Sequence, residues 1–147
     1  MKFDFVTVAC ERDLPLLWLQ AKSFSLVREE CVNRILILLN AQDPEHTTKY
    51  INDNIVPAYG HLKSQVQIIQ YQNIVTETDI SPGTCWRHER RDWYSQQVLK
   101  LLISHQIQTD WYVVLDVKNF FIKPIGVHTF FTRVPELASL VHPMLGP

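Results

Sequence analysis

Arg34–Asn40 reads RILILLN, five consecutive aliphatic residues between an arginine and an asparagine. The run is too short for a helix and has no polar alternation, so it reads as a strand covered on both faces, the habit of parallel sheets. Asn40, Gln42 and Asp43 close it. Upstream, FDFVTVAC (Phe3–Cys10) is a second apolar stretch rich in Phe, Val and Thr, and it stops at the charged triplet Glu11, Arg12, Asp13. Between the two lies DLPLLWLQAKSFSLV (Asp13–Val27). Asp13 is placed to cap a helix there, Pro15 is tolerated in its first turn, and Leu17, Ala21, Phe24, Leu26 and Val27 suit a face packed on a sheet.

Downstream the alternation continues. The segment Pro44–Gly60, chiefly HTTKYINDNI (His46–Ile55), predicts a helix ended by Pro57 and Gly60, and QVQIIQY (Gln65–Tyr71) predicts a third strand. A long helix is expected from about Cys85 to Gln108, with a core stripe of Tyr94, Val98, Leu101, Leu102 and His105. The strand WYVVLD (Trp111–Asp116) follows, read as a buried central one, after which FFI (Phe120–Ile122) resumes the core. Beyond Pro124 the signals weaken to a short helix around Val127–Arg133, punctuated by Pro135, Pro143 and Pro147. Strand, helix, strand, helix, strand, helix, strand is the order of an α/β protein with a mostly parallel sheet flanked by helices.

At 147 residues the chain suits a single domain, residues 1–147. Fourteen Lys+Arg against fifteen Asp+Glu leave a formal charge of −1, which disfavours a nucleic-acid partner. Three widely spaced cysteines, Cys10, Cys31 and Cys85, argue against a disulfide framework and for a reducing compartment, and the apolar surroundings of Cys10 and Cys31 suit packing residues. No stretch approaches the roughly 20 apolar residues of a transmembrane span, so the expected location is cytoplasmic. Cys85 and His88 have half the spacing of a zinc site, but no second pair follows. The glycine-rich dinucleotide turn, the P-loop and the nucleophile elbow of α/β-hydrolases are each missing from the sequence.

The polar residues collect where such a sheet binds ligands, past the carboxyl ends of its strands. Glu11, Arg12 and Asp13 follow the first strand, Asn40 and Asp43 the second, and Asp116, Lys118 and Asn119 the fourth. For Asp13 and Asp43 helix capping is the simpler role. Asp116 follows an apolar run directly; it reads either as a ligand-facing carboxylate or as half of a structural pair with Lys118. On the long helix Trp86, Arg90, Trp93, Gln97, Lys100 and Ser104 form a second stripe, able to contact a diphosphate, sugar or base, or to be an ordinary solvated face.

Taken together, FVTVACERD, ILILLN, WYSQQVLKL and WYVVLDVKNFFIKP resemble the nucleotide-sugar half of a GT-A-type glycosyltransferase. More narrowly, they resemble a poorly characterised bacterial and viral glycosyltransferase-like group with an L-D-x-K-N variant of the D-x-D motif. The resemblance runs from Phe3 to about Pro124. It implies a Rossmann-like GT-A fold, a nucleotide-diphosphate sugar as donor and a glycan or lipid-linked acceptor. It maps the nucleotide site to Ala9, Cys10, Glu11 and Arg12, and the ribose and diphosphate to Asp116, Lys118 and Asn119, with Trp93, Gln97 and Lys100 on the helix beside them. The metal implied is Mn²⁺ or Mg²⁺, with Asp116 as its ligand. Lys118 departs from that pattern, because an ammonium stands where a second carboxylate is expected; it cannot coordinate a cation but can offset phosphate charge.

Complete domains of that fold continue beyond this motif, so the chain is expected to be the donor-binding half, incomplete at its C-terminus, and no general base is assigned. The competing reading is a non-catalytic α/β module that binds a nucleotide or a protein, as a truncated or degenerate transferase. A receiver-like domain is disfavoured, because QVQIIQYQN ends in amides where a phospho-accepting aspartate would stand.

Overall fold

The computed structural model describes residues 1–74 and 91–130, with backbone alone for 91–95. Four strands, β1 (Phe3–Ala9), β2 (Val32–Leu39), β3 (Val66–Gln70) and β4 (Tyr112–Asp116), form one sheet in the order β3-β2-β1-β4, and every pairing is parallel. The helices α1 (Leu14–Ser23), α2 (Pro44–Tyr50) and α3 (Arg91–Leu102) lie between successive strands, and a single turn of helix, α4 (Val127–Phe130), follows β4. The chain is therefore α/β with an all-parallel sheet flanked by helices. Cys85, Trp86, His88, Arg90 and the segment after Phe130 lie outside the described residues.

β2 justifies its sequence. Ile35 to Leu39 are all buried, each at 1% exposure or less, because the pleat sends alternate residues to opposite faces and both faces are covered. On one face Phe3, Phe5, Ile35, Ile37 and Leu39 pack against Leu17, Ala21 and Phe24 of α1 and the turn after it, and against Ile51, Ile55 and Tyr59 beyond α2. Phe24 sits at the centre of an edge-to-face cluster, with ring centroids 5.4 Å from Phe5 and 5.1 Å from Phe121. On the other face Val6, Val8, Leu36 and Leu38 meet Leu99 and Ile103 at the end of α3.

Three expectations are corrected here. Among the described side chains the core stripe is Leu99 of α3 and Ile103 just past it; Leu101 is 71% exposed and His105 is exposed as well, while the side chain of Tyr94 lies outside the described residues. Successive helical residues are separated by about 100°, so two stripes fit the composition equally and docking on the sheet selects between them. Second, β4 is an edge strand among the described residues: only Leu115 is buried, while Trp111 and Val114 are exposed. Third, of the FFI run only Phe121 packs against the core, since Phe120 is exposed and Ile122 is 90% exposed. The helical segment expected from Pro44 to Gly60 starts at Pro44, and its path runs on in wider and tighter turns to Gln65, kinked at Gly60, which has φ 61°.

At the amino end of the sheet Asp4 is completely buried. Its carboxylate accepts from both Nε and Nη2 of Arg34, from Asn33 Nδ2 at 2.8 Å and from the backbone N–H of Gln108 at 3.1 Å. Burial pushes its pKa upward, but those donors outweigh it and hold the carboxyl below its ordinary 3.8.

Candidate functional site

Parallel register aligns the carboxyl ends: Ala9 pairs with Leu39, Leu39 with Gln70, and Val8 with Asp116. The chain leaves each strand on this edge, and a cleft lies at the ends of β1 and β2, reaching Gln96 of α3. Its volume is about 640 Å³, and its walls are Val8 to Arg12, Asn40 to Asp43, and Gln96 of α3. That is within the range of small-molecule sites.

Loop geometry on this edge is set by side chains that cap backbone. The Asp13 carboxylate turns back and accepts from the Cys10 N–H at 3.1 Å and from Cys10 Sγ at 3.2 Å. It thus closes the tight turn Glu11–Asp13 and makes no side-chain cap on α1, because the nearer donors of Cys10 engage it first. Asp43 does cap α2, accepting from the His46 N–H at 3.0 Å ahead of Pro44. Glu11 Oε1 accepts from the N–H groups of Gln42 and Asp43, tying the loop after β1 to the loop after β2 across the cleft floor. Burial, and then the Asp13 carboxylate, push the Cys10 thiol above its ordinary value.

One strand over, Asp116 ends β4 beside Val8, on the face that carries α3. Its carboxylate is paired with the ammonium of Lys100 on α3. Lys100 is largely covered, with 13% of its side chain exposed, while that of Asp116 is 44% exposed. Lys118, expected to neutralise Asp116, is exposed instead. The pleat directs Asp116 toward α3, and Lys118 falls in the turn beyond the strand, so proximity along the chain selects the wrong lysine. That turn is closed by Asn119, whose N–H donates to the Asp116 carbonyl at 2.8 Å and whose Oδ1 accepts from the Asp116 N–H at 2.7 Å.

The expected residues are therefore brought to one edge in two groups. Ala9, Cys10, Glu11 and Arg12 line the cleft, and Asp116, Lys118 and Asn119 form the neighbouring strand end with Lys100 above it. Gln97 is half-buried but is not part of the cleft wall; Gln96 is, and it lies one helical turn from Lys100. Trp93 falls in the first turn of α3, and its side chain lies outside the described residues. Gln96 was missed because the two adjacent glutamines cannot be told apart before the helix rotation is known. Gln20 was also missed: it is wholly buried on α1 and bonded to the Asp116–Asn119 turn, yet a glutamine among helical residues carries no signal of burial.

Residues 18–139 match the model of a family of unknown function, DUF6492. The chain belongs to that family. No curated protein and no solved structure matches it. The span shared with DUF6492 takes in the second wall of the cleft, Gln20, Lys100 and the Asp116–Asn119 turn, while β1 and the Glu11–Asp13 turn precede it.

The implied divalent metal is a poor match to the side chains of this DUF6492 member. Asp116 already holds an ammonium, Asn119 Oδ1 is occupied by a backbone N–H, and Lys118 is cationic. Among the described residues no group of three or more His, Cys, Asp or Glu side chains converges as a metal site. A hard cation needs several oxygen ligands, and the Lys100 ammonium held on the one carboxylate opposes it electrostatically. Among the described residues, moreover, no helix is long and apolar enough to cross a membrane.

Proposed function

We propose that the protein is a glycosyltransferase-like, GT-A-related protein that binds a nucleotide-diphosphate sugar at the carboxyl edge of its sheet. The observation that carries this reading is the pairing of Lys100 with Asp116 one strand from the cleft formed by Ala9–Arg12 and Asn40–Asp43. The nucleoside would occupy the cleft, where loop amides and carbonyls offer hydrogen bonds to a base and ribose. The diphosphate would lie toward β4, where Lys100 and Lys118 supply positive charge without a divalent ion. An incoming phosphate would compete with the Asp116 carboxylate for the Lys100 ammonium, and Asp116 would then be released toward a sugar hydroxyl. Transfer to a glycan or lipid-linked acceptor follows from the same resemblance.

A specific observation favours a second reading, a nucleotide-binding module without transfer chemistry. The carboxylates of Glu11, Asp13, Asp43 and Asp116 are all engaged, with backbone N–H groups, a thiol or an ammonium. A base that deprotonates an acceptor has to be free to receive the proton.

Calorimetric titration with UDP, GDP and their sugars, in EDTA and then in Mn²⁺, tests both. Binding in EDTA with donor turnover supports the transferase, and binding without turnover supports the module. Binding that appears only with Mn²⁺ contradicts the metal-free site, and silence with every nucleotide removes the donor reading altogether.

A further inference from the structure

Gln20 has no exposed surface, and its side-chain amide makes three hydrogen bonds that join distant parts of the chain. Nε2 donates to the backbone carbonyls of Asp116 at 2.8 Å and Asn119 at 3.1 Å, and Oε1 accepts from Thr7 Oγ1 at 2.9 Å. The orientation of this amide follows from its partners. The two carbonyl oxygens can only accept, so the NH₂ end must face the turn, and the oxygen must then take the proton of the buried Thr7 hydroxyl. Thr7 in turn lies on β1, one residue before Val8, where the cleft wall begins.

The turn does not need Gln20 to close. Asn119 already bonds Asp116 in both directions, through its backbone N–H and through its side chain. What the glutamine adds is a tether: it fixes where the closed turn sits relative to α1 and to β1. We infer that Gln20 is a positioning residue, which with Thr7 anchors the Asp116–Asn119 turn to α1 and β1 past the last rung of the β1–β4 ladder at Val8 and Asp116. A ligand spanning cleft and turn then meets both at a fixed separation. The inference rests on the reading of this edge as a nucleotide-diphosphate site, and it assigns to α1 a role in that site beyond packing.

Two measurements on the same variants test it: amide hydrogen exchange of the folded protein, and titration with UDP. Gln20→Met keeps the length of the side chain and removes all three bonds. Exchange at the Asn119 amide and the dissociation constant for UDP are each expected to rise about tenfold, while the β2 amides of Leu36 to Leu38 stay as protected as before. Thr7→Val frees the glutamine amide to turn and is expected to move both readouts in the same direction; Thr7→Ser keeps the hydroxyl and is expected to restore them. If Gln20→Met does not fold, the valine and serine variants carry the same comparison. Unchanged exchange in the turn overturns the inference, and so does a loosened turn that binds UDP as tightly as the unaltered protein. If the unaltered protein binds no UDP or GDP, the nucleotide reading and the ligand half of the inference fall together. The exchange data then still decide whether Gln20 holds the turn.

Discussion

Lys100 reaches Asp116 from α3, so a helix and a strand end share one ion pair at the edge where ligands gather. As a partly exposed pair it adds little to stability, about 0.2–1 kcal/mol. Lys100→Met is therefore expected to leave the fold intact and to weaken UDP binding by about tenfold, read by calorimetry. Cys10 makes a second prediction. Burial and the neighbouring Asp13 raise its pKa, so the thiol stays protonated at neutral pH and should react slowly with iodoacetamide. Asp13→Asn is expected to speed that alkylation, measured by mass spectrometry of the modified peptide. Asp4 governs a pH effect. Its folded pKa lies below the unfolded 3.8, so its contribution is complete above 3.8 and disappears as the pH falls through the folded value. Arg34→Met strands a buried carboxylate and is expected to cost about 3 kcal/mol near neutrality. In urea titrations the gap to the unaltered protein should narrow in acid, where Asp4 is protonated in both states.

Elements differ in how much of their placement is written locally. The Ile35–Leu39 run identifies β2 as doubly covered because no face is polar, and the structure buries all five residues. Leu36→Ala should accordingly cost about 2–5 kcal/mol in chemical denaturation, through lost burial and the cavity left against α3. Gly60 marks the kink in the helical path from α2 to β3. At φ 61° and ψ −120° a side chain is strained, although an added Cβ would meet nothing within 4 Å. Gly60→Ala is thus expected to lose about 1–3 kcal/mol from backbone strain alone. The rotation of α3 was not legible. The pattern admits a stripe through Val98, Leu102 and His105 or one through Leu99 and Ile103, and contact with Val6, Val8, Leu36 and Leu38 chose the second.

At the scale of the molecule, a parallel sheet with helices on both faces gathers four strand ends at one edge, and a single ligand can contact several of them. A nucleotide that binds only the folded state should stabilise the whole chain: at about 100 times its dissociation constant, UDP is expected to add about 2.7 kcal/mol, read as a rise in melting temperature. Lys100→Met should need more UDP for the same rise, which separates binding at this edge from nonspecific effects. Membership of DUF6492 extends the question to relatives that share the matched span from Trp18 onward.

The types of the elements, their order and the collection of polar groups after β1, β2 and β4 follow from the sequence by itself. Periodicity and run length are local properties, and the α/β alternation then implies a binding edge. Only the tertiary structure decided that β4 lies at the edge of the described sheet, that Lys100 rather than Lys118 answers Asp116, that Gln96 lines the cleft and that Gln20 is buried beneath the turn. Each of these depends on strand order, pleat direction or helix rotation. Contacts between residues far apart in the chain fix those three, Gln20 and Asp116 being 96 residues apart, and no window of neighbouring residues contains them.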